Sequence, residues 1–599
     1  MNYMVEQDDM TEVWLTQLGL ALSESRKLAI DHRKGIETEW QEDEEFYEGI
    51  DNVNREDRNT KPQGTTRPED EVGSTVFLNI TRPYCDAASA RVSDMLLPTK
   101  DRNWALGPTP VPDMIQIAGG KIPQRINKQI DEAFPQDPET ATKVKTDLVT
   151  EMQEVMAEAK AKCERAQLRI EDWHVQCQFN SEVSRIIEDT TQIGTGVLKG
   201  PVPIEVTQMA FVGGALVLKK SIAPASFRVD PWNCYPDPAC GENIQNGCYH
   251  WEKDDISRRE VENLLGQENY ISSQILKVLK EGPYEGSCRE NDSRELNWLS
   301  KRETKDLFQI WYYYGRLSYD ELKGAENLQK PCGCEEDCEC LNSMDIHVTM
   351  INNRVIKAVP NINKKGEIPY DYMVWQKRKG SPWGIGVARQ IRTPQRIVNG
   401  GGRNMMDNAG AAGGPMLLVQ NGVVTPEDGI FVIKPWKIWL ADESADSSHL
   451  DNAFRYVVAP MLQQDLENII RLGLRMAEDV TGLPLIMQGQ MSERTPNTLG
   501  QSQLQNTNAS TVLRRIATLF DERITEPHIR RYYAYLLQYG DDNEKGDFQV
   551  QARGASAMVE RDVQNQTIAN LTPVVANPIY GKDPKKWMDE FLKSQRLDP

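Results

Sequence analysis

Lys377–Met406 reads KRKGSPWGIGVARQIRTPQRIVNGGGRNMM: seven lysines or arginines and no aspartate or glutamate, inside a chain whose formal net charge is −20. A local reversal of sign on that scale asks for a structural cause. Continued as a helix beyond Gly386, the stretch sets Arg389, Arg392, Arg396 and Arg403 at i, i+3, i+7 and i+14. At about 100° per residue these four fall within roughly a 60° arc, a cationic stripe. Pro394, which lacks a backbone donor, and Gly400–Gly402, poor helix formers, predict that the stripe bends or ends early. Two readings stay open for it: cations along a channel wall that meet phosphates without reading bases, or a helix face paired with carboxylates of the next protomer.

Outward from the island, the period of the apolar residues changes several times. The spacing of Val13, Trp14, Leu18, Leu22, Ile30 and Ile36 predicts one or two amphipathic helices over Glu12–Tyr47. A polar, mobile loop is expected over Asp51–Ser74, then an extended VFLNI and a helix through Ala87 to Leu97. Glu139–Ile193 is the longest helical stretch, with a break expected near Trp173. From Gly194 to about Tyr249, and again over Leu307–Leu317 and Ile346–Val359, short alternating runs predict strands. Downstream, Asn452–Glu478 and Leu499–Tyr539 read as two long helices, with Pro460 kinking the first or marking its first turn. Asp583-Pro584 opens a last short helix. The fold class expected is α+β.

Composition narrows the function. A chain of 599 residues, 26% charged and 39% hydrophobic, is long enough for roughly three to four units of about 150 residues. No apolar run approaches the ~20 residues of a membrane span, and the acidic start MNYMVEQDDM lacks a signal peptide's basic region, so a cytoplasmic protein is expected. Eleven scattered cysteines argue for reduced thiols. The charge of −20 opposes tight wrapping of nucleic acid, since each phosphate contact needs a cation to displace a counterion.

In order, four patches make the chain resemble the portal proteins of short-tailed bacteriophages. They are IIEDTTQIGTGVLKGP (Ile186–Pro201) with FRVDPWNCYPDPAC (Phe227–Cys240); PYDYMVWQKRKGSPWGIGVARQIRTPQRIVN (Pro369–Asn399); AAGGPMLLV (Ala411–Val419); and the helix, loop, helix succession of Asn452–Tyr539 closed by FQVQARGASAM (Phe548–Met558). The resemblance implies a ring, usually a dodecamer, at one capsid vertex, through which a separate motor drives double-stranded DNA. It implies N-terminal helices and an α/β wing over 1–384, with a mobile loop at 49–74 and a Cys-rich loop at 331–341. A first stem helix at 385–409, a clip at 410–451, a second stem helix at 452–480 and a tunnel loop at 481–498 follow. The return helix, wing or crown portion and short C-terminal helix complete it over 499–599. The partners implied are further copies of the chain, DNA, the terminase large subunit, tail adaptors, and major capsid and scaffolding proteins, with no membrane. The location implied is the portal vertex of a virion assembled in a bacterial cytoplasm.

Candidate site residues follow. In the implied clip, Trp436, Lys437 and Trp439 either bury against the adjoining subunit or anchor a docking partner. In the tunnel loop, Gln488, Gln490 and Arg494 offer side chains that slide along DNA. Cys332, Cys334, Cys338 and Cys340 hold enough thiolate for one zinc ion, but without the CxxC spacing of four-cysteine sites, and a reduced loop is the plainer reading. Neither a GxxxxGK[ST] loop, an HExxH nor a GxSxG occurs, so no enzyme and no cofactor is expected. Rival readings are a helix-rich virion ejection or scaffolding protein and, from another class, a metal-dependent nucleic-acid enzyme.

Overall fold

The computed structural model describes residues 12–50, 74–97, 102–109, 114, 117, 122–133, 138–212, 215–267, 269–283, 307–318, 343–361, 366–414, 416–419, 424–430, 436–441, 454–483 and 514–552. The chain is a mixture of helix and sheet, the α+β class expected, and falls into two units. In chain order the first elements are helix α1 (Glu12–Glu48), α2 (Thr81–Leu96), strand β1 (Trp104–Pro108), α3 (Gln124–Ala133), α4 (Pro138–Gln176) and α5 (Phe179–Gln192). A β-rich stretch follows: β2 (Thr195–Val212), β3 (Ala215–Val229), β4 (Cys234–Pro236), β5 (Tyr249–Ser257), α6 (Arg258–Asn263), α7 (Ser272–Glu281), β6 (Leu307–Ser318), β7 (Ser343–Ile351), β8 (Arg354–Pro360) and β9 (Tyr370–Val374). Then come α8 (Val387–Gln390), α9 (Arg392–Ala412), β10 (Met416–Val419), β11 (Val424–Pro426), β12 (Trp439–Ala441), β13 (Phe454–Val457), α10 (Gln463–Thr481), α11 (Glu526–Tyr539) and β14 (Phe548–Ala552).

The first unit comprises Met1–Gln41, Cys85–Arg389 and Pro496–Pro599. Its largest sheet is antiparallel, in the order β4-β5-β6-β7-β8. Alternation along β6 sends Trp311 and Tyr313 to one face, under Trp14, Leu18 and Leu22 of α1, and Phe308 and Ile310 to the other, against Val261 of α6 and Ile275 and Val278 of α7. One buried cation fixes α1 to this sheet. The Arg33 guanidinium donates to the Cys234 carbonyl at 2.9 Å and the Tyr235 hydroxyl at 2.8 Å while lying 3.6 Å from the Tyr235 ring centroid. A second sheet, β3-β2-β9, carries α5. The expected break in the long helix falls at Gln178, which adopts a left-handed φ of 55° between α4 and α5.

The second unit comprises Glu42–Tyr84 and Gln390–Thr495. Here two expectations need correcting. The expected helix at 385–409 is two helices with a turn at Ile391, because α9 starts just before Pro394; the proline's missing N–H then falls in the first turn, where no intrahelical partner exists. Arg389 thereby leaves the helix that carries Arg392, Arg396 and Arg403. The glycines at 400–402 lie inside α9, which runs on to Ala412. The helix expected from Asn452 is strand β13, paired with β10, and only from Gln463 does α10 begin, past Pro460. The tunnel-loop candidates Gln488, Gln490 and Arg494, the four cysteines at 332–340 and the helix expected at Asp583 lie outside the described residues.

Candidate functional site

Within the second unit, α9 and α10 pack as an antiparallel pair. Asn408 binds both Pro460 and Leu462, at 3.0 and 2.9 Å, and Gln463 donates to the Met405 carbonyl at 3.1 Å. Further on, Gly401 faces Ile470 and Gly473 faces Val398, so one index falls as the other rises. Glycine sets the approach distance. A Cβ at Gly473 would lie 2.8 Å from Val398 Cγ2, and one at Gly401 3.0 Å from Ile470 Cγ1. Beside this seam α10 leaves Ile469, Leu472 and Val480 exposed, within roughly an 80° arc.

Carboxylates of this same chain answer the arginines. Arg392 Nε and Arg396 NH2 reach one oxygen of Glu42, at 2.7 and 2.6 Å, and Arg403 donates to the Val76 carbonyl at 3.3 Å. In the first unit, Arg378 and Arg389 meet Glu39 at 2.6 and 3.4 Å. The Arg378 hydrogen bond holds the Glu39 carboxyl below the usual carboxylate range. Arg396 keeps more than half of its side-chain surface, 57%, open. Gln395 completes the second unit's anchorage: its oxygen accepts from Ile80 and Thr81 and its amide nitrogen donates to the Leu78 carbonyl. Spacing showed the stripe; it could not show Glu42, some 350 positions away.

Between α9 and α10 stand two small ladders, β10–β13 and β11–β12. Leu418, Ile430, Ile438, Leu440, Tyr456, Val458, Met461 and Leu462 all face solvent. Trp436 is 99% exposed, on a backbone of φ +63° that a tryptophan seldom adopts. Lys437, by contrast, is folded in: its ammonium binds Asp428 at 3.1 Å and the Ile430 carbonyl, and lies 5.3 Å from the Trp439 ring centroid. Trp439 packs edge-on against Phe454 at 5.2 Å. Of the three sequence candidates, one side chain points outward and two build the hairpin that holds it.

The first unit encloses an arrangement that no motif announced. Ser226 Oγ lies 2.7 Å from His528 Nε2, and His528 Nδ1 lies 2.7 Å from Asp371 Oδ2, which Arg531 also binds. These residues stand 302 and 157 positions apart in the sequence. The distances are those of a nucleophilic triad, yet Ser226 and His528 are 0% exposed and the Tyr532 hydroxyl, 2.7 Å away, takes the serine's other side. What the network does is clamp α11 onto β3 and β9.

Among the described residues no group of three or more His, Cys, Asp or Glu side chains is placed to hold a metal ion, and no helix is long and apolar enough to cross a membrane. No protein-family model matches the chain, and no curated protein matches it either.

Proposed function

We propose that the chain is a subunit of a bacteriophage portal: a ring at one capsid vertex that passes double-stranded DNA during packaging and ejection and docks terminase and tail adaptors. The reading makes α9 and α10 the stem and the β10–β13 and β11–β12 ladders the clip, and it assigns no catalysis to the chain. One observation carries it. Among its described residues the second unit exposes many large apolar side chains, including Leu418, Ile430, Trp436, Leu440, Tyr456, Met461 and Leu472. A surface of this kind belongs to a chain that covers it with other chains.

Charge supports the same reading. Between Ser381 and Pro460 the chain carries seven basic and seven acidic residues, against −20 overall. A neutral passage through an acidic body lets DNA approach without holding it. Native mass spectrometry tests the assembly. The reading predicts a species at a high fixed multiple of the 68.0 kDa chain, a dodecamer by the resemblance. A monomer across micromolar concentrations overturns it, as does a broad ladder of sizes.

A further inference from the structure

A cavity of about 690 Å³ lies wholly within the first unit, where the turn before β5, the ends of β6 and β7, strand β9 and the start of α11 converge. Most of its charges cancel in place. Arg316 pairs with Asp345 at 3.2 Å, Arg530 with Glu367 at 3.2 Å, and Arg531 with Asp371. Arg523 is different. It sits on a π-helical turn, Asp521–Thr525, that leads into α11 and turns Glu522 and Arg523 to the cavity. Its side chain is half-buried and makes no hydrogen bond or ion pair among the described residues. Burial lowers its pKa, although Glu242 and Glu522 act in the opposite sense. A guanidinium stripped of water without a hydrogen-bonding partner carries a cost that a guest carboxylate would remove.

The carboxylates in the same wall set the rest of the guest. Glu522 and Glu526 make no hydrogen bond or ion pair among the described residues, and Glu242 accepts only one long bond, from the Gly380 N–H at 3.4 Å. With the paired arginines set aside, one guanidinium faces three carboxylates. A simple anion is repelled there, and a simple polycation leaves Arg523 unsatisfied. Among the described residues these carboxylates form no group placed to hold a metal ion. The volume falls within the roughly 300–1,000 Å³ that encloses a drug-sized guest, which a short peptide fills better than one amino acid. We propose that this cavity binds the C-terminal end of a basic peptide, its terminal carboxylate on Arg523 and its cationic groups toward Glu242, Glu522 and Glu526. The site involves none of the stem or clip elements and does not depend on the portal reading.

The tripeptide Gly-Gly-Arg is the probe. Its C-terminal amide removes the carboxylate, Gly-Gly-citrulline removes the side-chain charge, and free L-arginine tests whether a peptide is needed. Titration calorimetry on the full chain should show saturable binding of Gly-Gly-Arg, with each of the other three weaker by about tenfold. Arg523→Gln removes a desolvated cation, so this variant should unfold no earlier than the parent, and it should bind the tripeptide and its amide equally. The double variant Glu522→Gln, Glu526→Gln should erase the preference for Gly-Gly-Arg over Gly-Gly-citrulline. No binding of Gly-Gly-Arg, equal binding of the amide or of Gly-Gly-citrulline, or an undiminished preference for the free carboxylate in a folded Arg523→Gln chain would each overturn the proposal. Free L-arginine binding as tightly as the tripeptide would overturn the peptide as guest.

Discussion

At the scale of single residues, burial of ionisable groups makes the sharpest commitments. His174 and His250 are pushed down from 6.5 to about 3, chiefly by desolvation, and His347 and His528 are lowered for the same reason despite the Asp371 carboxylate beside His528. The unfolded chain therefore binds more protons than the folded one between pH 6.5 and about 3, so stability present above 6.5 is lost as the pH falls through that window. Each such histidine contributes about 1.4 kcal/mol per pH unit. Urea unfolding at pH 7 and pH 5 should show a clearly lower midpoint at pH 5, before carboxylates such as Glu39 titrate; equal midpoints would contradict it. A second expectation concerns Glu42, which two arginines share. Glu42→Gln should cost more stability than Arg396→Gln, because the exposure of the Arg396 side chain limits that loss to about 1 kcal/mol or less. Denaturant midpoints of the two variants decide this, and the reverse order would mean the shared carboxylate is not the anchor.

At the scale of elements, helix contacts hinge on where glycine stands. Gly473→Val forces a side chain into Val398 and should destabilise the α9–α10 pair by about 1–3 kcal/mol. Gly400→Ala meets nothing within 4 Å in a helix interior and should instead stabilise by up to about 1 kcal/mol. Thermal melts of both variants separate a packing role from mere propensity; similar effects of one sign would contradict it. In the β11–β12 hairpin, Trp436→Gly removes a side chain that touches almost nothing and relieves its positive φ. The melting midpoint should not fall, whereas assembly or adaptor docking, read by native mass, should. Much of this was legible in the sequence. The period of α1, the helix break near Trp173 and the strands at 195–229, 307–318 and 343–360 follow from local spacing, and local spacing is what an amphipathic element must obey. What could not be read was decided by distant partners. Phe454–Val457 is a strand because β10 is there to pair with it, although its apolar residues fit a helix equally well. The Ser226–His528–Asp371 clamp joins three segments that no local pattern links.

At the scale of the whole molecule, the two units differ in what they need. The first has large buried clusters around Trp251, Trp311, Trp40 and Tyr532 and meets most of its own packing demands. The second has few fully buried side chains and many exposed apolar ones, so its stability should depend on concentration through self-association. The basic island that opens at Lys377 spans the boundary between the units at Arg389, and both its halves are engaged by carboxylates of α1, Glu39 in one unit and Glu42 in the other. That engagement recasts Arg389, Arg392 and Arg396 as residues that hold the chain's own elements first. On the proposed portal reading, contact with DNA would fall to the open flank of Arg396. Negative-stain electron microscopy of the purified full-length chain tests the central claim most directly. The account predicts uniform rings with a central hole wide enough for a DNA duplex, whereas monomers, filaments or closed particles without a hole would contradict it.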